Sequence, residues 1–164
     1  MQQIIDQTIN FVKVTLANAE TGHDWFHIER VYKTAKTINA VEKADALIVE
    51  LAALLHDIAD PKFHNGDETI APKISREFLE QQNVSEETIQ KVLFVIENIS
   101  FKNRDQAPVD PPIELKIVQD ADRLDAIGAI GIARAFTYGG FKNRVLYDPE
   151  ILPEKHVYKE SYKN

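Results

Sequence analysis

The chain has 164 residues, 44% of them hydrophobic and 27% charged, which suits one soluble domain with a real core and is too short for two ordinary ones. Its formal charge of −7 and pI near 5.2 argue against binding to a nucleic-acid backbone as its main work, since such proteins usually carry a basic face. The absence of cysteine excludes disulfides, thiolate catalysis and sulfur-ligated metal sites, and fits a reducing compartment.

The N-terminal MQQIIDQTINF lacks a basic segment before an apolar run, so it does not read as a secretory signal. Ile4, Ile5, Ile9, Val12 and Leu16 recur at helical spacing, as do Ile28, Val31, Ala35 and Ile38. The segment from Asp45 to Ile58 is apolar nearly all round and predicts a central helix covered by others. Its apolar core, Leu47 to Leu55, is far shorter than the roughly 20 residues that span a bilayer. These features predict a cytoplasmic chain with no membrane partner.

A more polar amphipathic helix is expected over Asp67 to Gln82. Another opens at Val84-Ser85-Glu86-Glu87, with Ser85 as N-cap and acids in the first turn, and runs through Val92, Val95, Ile96 and Ile99. The PVDPP break at Pro108 to Pro112 precedes a helix reaching about Leu124. Ala126 to Thr137 is expected to continue as a small-residue helix, stopped by Gly139-Gly140. The expectation is an all-α, bundle-like fold in a single domain over residues 1–164, without repeats or linkers.

The polar residues are unusually placed. His23 and His27 lie four apart, so they share a helix face, and so do His56 and Asp60. Asp120, Asp122 and Asp125 interrupt an otherwise apolar helix, where a carboxylate is costly unless paired or bound to a cation. Each has an ordinary explanation taken alone. His27 reads as a hydrogen-bonded core histidine, His56-Asp57 as a helix end, and Asp122 as a partner of Arg123 or Lys116. Taken together, those explanations must account for three helices that each carry a misplaced ligand-type residue. Imidazoles with carboxylates form a mixed N/O site suited to Mn, Fe, Co, Ni or Zn.

The order of His27, His56-Asp57 and Asp122 resembles that of the HD superfamily of metal-dependent phosphohydrolases. GHDWFHIERV at 22–31, AALLHDIADPKFH at 52–64 and VQDADRLDAIGAIGIAR at 118–134 are similar to the three signatures of its small stand-alone bacterial and fungal branch. The resemblance spans roughly residues 1 to 150 and implies a helical domain with one divalent metal held between three helices. The ion is expected to be Mn, with Fe, Co, Ni, Zn and Mg as the other candidates. The implied ligands are His27, His56, Asp57 and Asp122.

On a helical wheel anchored on Ile117, Val118, Ala121 and Leu124, Asp125 points nearer the apolar centre than Asp122 does. The ADRL context favours Asp122 as the ligand and leaves Asp125 as a support for a ligand or its substitute. His23, four residues before His27, is expected to contact substrate or steady a ligand. Asp60 stands three residues past Asp57, where relatives of this kind often carry a catalytic acid, usually Glu; it is expected to act on the attacking water. Lys62, His64 and Arg144 are candidates to neutralise phosphate charge; an ordinary solvated cation is the other reading of Lys62 and Arg144, and for Arg144 the favoured one.

The resemblance implies a small-molecule nucleotide as substrate. The favoured reaction converts a nucleoside triphosphate to the monophosphate and pyrophosphate. A 5′-nucleotidase, another HD-type phosphomonoesterase or phosphodiesterase, and a non-catalytic nucleotide-binding module are the alternatives. A second copy of the chain, as a homodimer, is the one protein partner considered. The ending YDPEILPEKHVYKESYKN looks like a loop leading into further helices, so C-terminal helices are expected to be missing and apolar surface to be left uncovered.

Overall fold

The computed structural model describes residues 1–17, 19, 24–59, 67, 69–100 and 110–152. Seven helices and no strand occur among them, as the periodicity predicts. They are α1 (Gln2–Thr15), α2 (Trp25–Glu42), α3 (Ala46–Leu55), α4 (Ile70–Gln81), α5 (Glu86–Asn98), α6 (Ile113–Leu124) and α7 (Gly128–Phe141).

The expected central helix is α3. Asp45 caps it by accepting from the backbone N–H groups of Leu47 and Ile48, which satisfies donors that the first turn leaves unpaired. Every residue from Ile48 to Leu55 is buried, and α1, α2, α5 and α6 pack around it. Ser85 caps α5 by accepting from Thr88 N–H, and Glu86 and Glu87 occupy its first turn, as anticipated. Among the described residues no helix is long and apolar enough to cross a membrane.

Two contacts set how these helices align. Asn39 on α2 bonds to Ala44 at the turn into α3, and Tyr32 Oη donates to Glu50 at 2.7 Å further along. Lys36, itself exposed, completes the brace by donating to Tyr32 Oη at 3.2 Å. Helices α2 and α3 therefore run antiparallel, and the same alignment carried onward brings the His27 and His56 rings together, centroids 5.4 Å apart. At the other end of α3, the Glu114 carboxylate accepts from Asp45 N–H at 3.1 Å, so α6 starts beside the start of α3 and delivers Asp122 near His56.

One boundary differs from expectation. Gly139 and Gly140 do not stop the last helix; both are helical, and α7 ends at Phe141 with Lys142 N–H donating to Tyr138 O. Glycine costs only about 1 kcal/mol in a helix interior, too little to end a run whose neighbours favour helix. The stop comes at Asn143, whose φ of +52° takes the left-handed position that often closes a helix. The helix also does not continue from α6: the chain turns at 125–127 and restarts at Gly128, where φ is +67°. No residue of α7 is buried, and Ile127, Ile130, Ile132, Phe136 and Phe141 are exposed.

Candidate metal centre

The site lies where the end of α3 meets the start of α2 and the end of α6. The Asp24 carboxylate caps α2 by accepting from His27 N–H at 3.0 Å, which pins His27 in the first turn of the helix. His56 and Asp57 follow the last turn of α3, and Asp122 and Asp125 close α6.

One ligand-type atom from each of His27, His56 and Asp57 lies within 4.8 Å of the others. His27 Nε2 stands 3.9 Å from Asp57 Oδ2 and 3.4 Å from Asp122 Oδ1, while His56 Nε2 is 3.8 Å from the same Asp122 oxygen. Ligands about 2.1 Å from a shared cation would be about 3.0–3.4 Å apart, so the four side chains sit slightly wider than an ion would draw them.

Hydrogen bonds fix which nitrogen faces inward. The His27 Nδ1 faces Asp125 Oδ2 at 2.8 Å, and the His56 Nδ1 faces Ala53 O at 2.9 Å. Both partners only accept, so both Nδ1 atoms must donate and each Nε2 is turned toward the carboxylates. Among the described residues the buried His56 Nε2 has no hydrogen-bond partner, the Asp122 oxygen at 3.8 Å being too far to accept from it. Leaving such a group unsatisfied costs about 1–3 kcal/mol. Two inward imidazole nitrogens, one of them orphaned, beside two carboxylates fit the donor set of a divalent transition metal.

Asp125, which the wheel turned toward the apolar centre, is buried as that wheel indicates and supports His27. Arg30 grips it with Nε at 2.6 Å and Nη2 at 3.0 Å, and Arg134 adds Nη1 at 2.8 Å. Burial raises its pKa, but Arg30 and His27 outweigh that and hold it below the usual carboxylate range. Neither arginine was singled out from the sequence. Arg134 left a signal there, as the sole charge in the small apolar run GAIGIARAF; Arg30 left little beyond standing three residues past His27.

Of the other sequence candidates, Arg144 lies at the end of α7 with its guanidinium 5.5 Å from the Tyr138 ring. Asp60, His23, Lys62 and His64 fall outside the described residues. A groove of about 800 Å³, whose lining includes Ile48, Phe94, Lys73 and Arg76, opens at the far end of α3 and is lined by none of His27, His56, Asp57 and Asp122. Its size alone does not make it the site, because the convergent polar chemistry lies elsewhere.

The charges respond to one another. Burial, then His56 and Arg134, pushes His27 down to about 4, against the pull of Asp125. Burial also opposes protonation of His56, but Asp122 and Asp57 prevail and raise it to about 9. Asp122 falls to about 2 because the imidazoles outweigh its own burial. Without a metal, Asp122 and Asp57 thus favour a proton on His56.

The signs set a pH window. Raised in the fold, His56 contributes stability that is fully present below about 6.5 and is lost as pH rises through about 9. Depressed in the fold, His27 contributes stability present above about 6.5 and lost as pH falls through about 4. Metal uptake near pH 7.5 is therefore expected to expel about one proton per ion, with affinity dropping as pH falls. Titrating the metal-free chain with Mn²⁺ in weak buffer under pH-stat measures this directly. Uptake without proton release would mean that His56 is already neutral.

A helical bundle that turns two imidazoles and two carboxylates toward one point defines a helical protein with a candidate metal centre. The chain belongs to the HD domain family, whose model matches residues 25–127. It is 41% identical over 156 residues to the uncharacterized protein YpgQ of Bacillus subtilis, covering 93% of this chain and 75% of that one. A crystal structure of YpgQ in complex with ADP matches 89% of this chain and 73% of that chain, at a TM-score of 0.70 and 41% identity. An HD-superfamily hydrolase from Bacillus thuringiensis matches at 0.73 and 45%, covering 98% and 77% of the two chains. A Lactobacillus plantarum structure overlays 99% of this chain and 75% of its own length, at 0.84 and 33% identity.

Proposed function

We propose that this protein is a divalent-metal-dependent phosphohydrolase of nucleotides, holding its ion with His27, His56, Asp57 and Asp122. The observation that carries the reading is the convergence of His27, His56 and Asp57, with the orphaned, buried Nε2 of His56 among them. The hydrolase description of a 45% identical neighbour supports the reaction class, and the ADP in the YpgQ complex supports a nucleotide ligand.

When bound, the cation supplies Lewis acidity, lowering the pKa of a water and offsetting phosphate charge. The protein's residues do the rest. Asp125 and the Ala53 carbonyl hold the two imidazoles in the tautomer that leaves Nε2 for the ion. Asp60, three residues beyond Asp57, is proposed to take the proton of the attacking water. Lys62, His64 and His23 are proposed to receive the phosphate chain, with Arg144, over Tyr138, as an outer contact.

The favoured substrate is a nucleoside triphosphate. Several cations and donors beyond the metal suit a longer phosphate chain better than a single phosphate. Water adds at the α phosphorus, the bond to the bridging oxygen between α and β breaks, and pyrophosphate leaves with the nucleoside monophosphate remaining. Phosphorus NMR of products from mono-, di- and triphosphates with added Mn²⁺ tests this. Pyrophosphate is expected from triphosphates only. Inorganic phosphate as the sole product would replace this reaction with that of a nucleotidase, and binding without turnover would leave a nucleotide-binding module.

A further inference from the structure

Two arginines, Arg30 and Arg134, stand beside the carboxylates Asp57, Asp122 and Asp125. An arginine beside a metal centre is an electrostatic arrangement suited to an anionic substrate.

The hydrogen bonds distinguish the two arginines. Arg30 uses a two-pronged grip, Nε on Asp125 Oδ1 and Nη2 on Oδ2, which together with the His27 bond already satisfies a buried carboxylate. Arg134 adds a fourth donor to the carboxylate, on the oxygen that already has two. Its Nη1 shares Asp125 Oδ2 with His27 Nδ1, and these two nitrogens are only 3.3 Å apart although both must donate to that oxygen. Arg134 is therefore surplus to Asp125's needs and crowded against a like-polarity group. Its side chain is 24% exposed and that of Arg30 38%, so the two arginines are told apart by their hydrogen bonds and not by access to solvent.

We propose that Arg134 is the substrate-recognition cation of this site. It is parked on Asp125 in the unliganded protein and turns to take a phosphate of the anionic substrate, while Arg30 alone keeps Asp125, and through it His27, in place. The inference rests on the phosphohydrolase reading and extends it, because it gives α7 a role that the ligand set does not. From the sequence, His23, Lys62, His64 and Arg144 are the expected phosphate contacts; Arg134 adds one from α7.

Calorimetry with ADP on the manganese-loaded full chain, with Mn²⁺ matched in both solutions, tests it beside a separate measurement of Mn²⁺ affinity. Arg134→Met is expected to weaken ADP by about 10–100-fold, the scale of a lost charge-assisted hydrogen bond, and to leave Mn²⁺ affinity within about threefold. Arg134→Lys should recover only part of the loss, since an ammonium cannot reproduce the planar fork. Asp125→Asn provides the contrast, losing Mn²⁺ affinity by about 10–100-fold. Wild-type ADP affinity in Arg134→Met would overturn the proposal, and so would a Mn²⁺ loss matching that of Asp125→Asn, which would make Arg134 a positioning residue only. Either result leaves the phosphohydrolase reading standing if the wild type binds and cleaves nucleotides. Failure of the loaded wild type to bind ADP would overturn both together.

Discussion

Replacing Asp60 by asparagine is expected to lower turnover by about 10²–10⁴-fold while leaving metal content and fold unchanged, the range for loss of a general acid–base group. Asp60 stands three residues beyond Asp57, about one helical turn from the ligand pair if that turn continued. At that spacing it is proposed to act on a water at the centre while remaining outside the ligand set. The amide keeps the size and the hydrogen-bonding reach of the acid but cannot accept a proton at neutral pH. Elemental analysis of the purified variant and a steady-state assay on the best nucleotide substrate separate the two effects. Near wild-type turnover would remove Asp60 from the mechanism, and loss of the ion along with activity would make it a ligand.

The second large effect is on stability. At a free Mn²⁺ concentration 100 times its dissociation constant, binding to the folded form alone adds about 2.7 kcal/mol. For a chain of this size that raises the melting temperature by roughly 5–10 °C. His56→Ala is expected to abolish the metal-dependent shift, because it removes a proposed ligand nitrogen that is buried without a hydrogen-bond partner among the described residues. The comparison is made within the variant, with and without metal, so any loss of packing at His56 cancels. Asp122→Ala should behave in the same way, whereas Asp125→Asn should only move the shift to higher metal concentration. An undiminished shift in His56→Ala would mean that the ion stabilising the protein binds elsewhere. Retention in Asp122→Ala with complete loss in Asp125→Asn would exchange the roles assigned to those two aspartates.

The two aspartates also show how much of the centre was legible. Spacing alone put Asp122 and Asp125 on neighbouring parts of one helix, and the apolar wheel turned Asp125 inward. Burial agrees with the wheel, yet a buried carboxylate serves as well to hold an imidazole as to hold an ion. Which it does depends on what lies on α2, ninety-eight positions away, where His27 Nδ1 waits at 2.8 Å. Local periodicity contains no information about that partner. The same limit explains Gly139-Gly140, where a local preference against helix was outweighed by the turns on either side.

The sequence by itself determined the helical class, the covered central helix α3, the caps at Ser85 and the start of α6 after its prolines, and the identity of the ligand-type residues. These are properties of pattern and residue chemistry: a period of 3.6, a side-chain oxygen at an N-cap, an imidazole or carboxylate where an apolar residue is expected. Only the tertiary structure decided how those residues meet. The antiparallel brace of Tyr32, Lys36 and Glu50 brings His27 to His56, and the bond from Asp45 to Glu114 starts α6 beside α3 so that Asp122 arrives near His56. It also decided the pairing of Asp125 with His27 and Arg30, which turns His27 Nε2 inward. The reason is physical: side-chain contacts between helices depend on rotation, direction and register, and these are fixed only when the apolar faces close on one another.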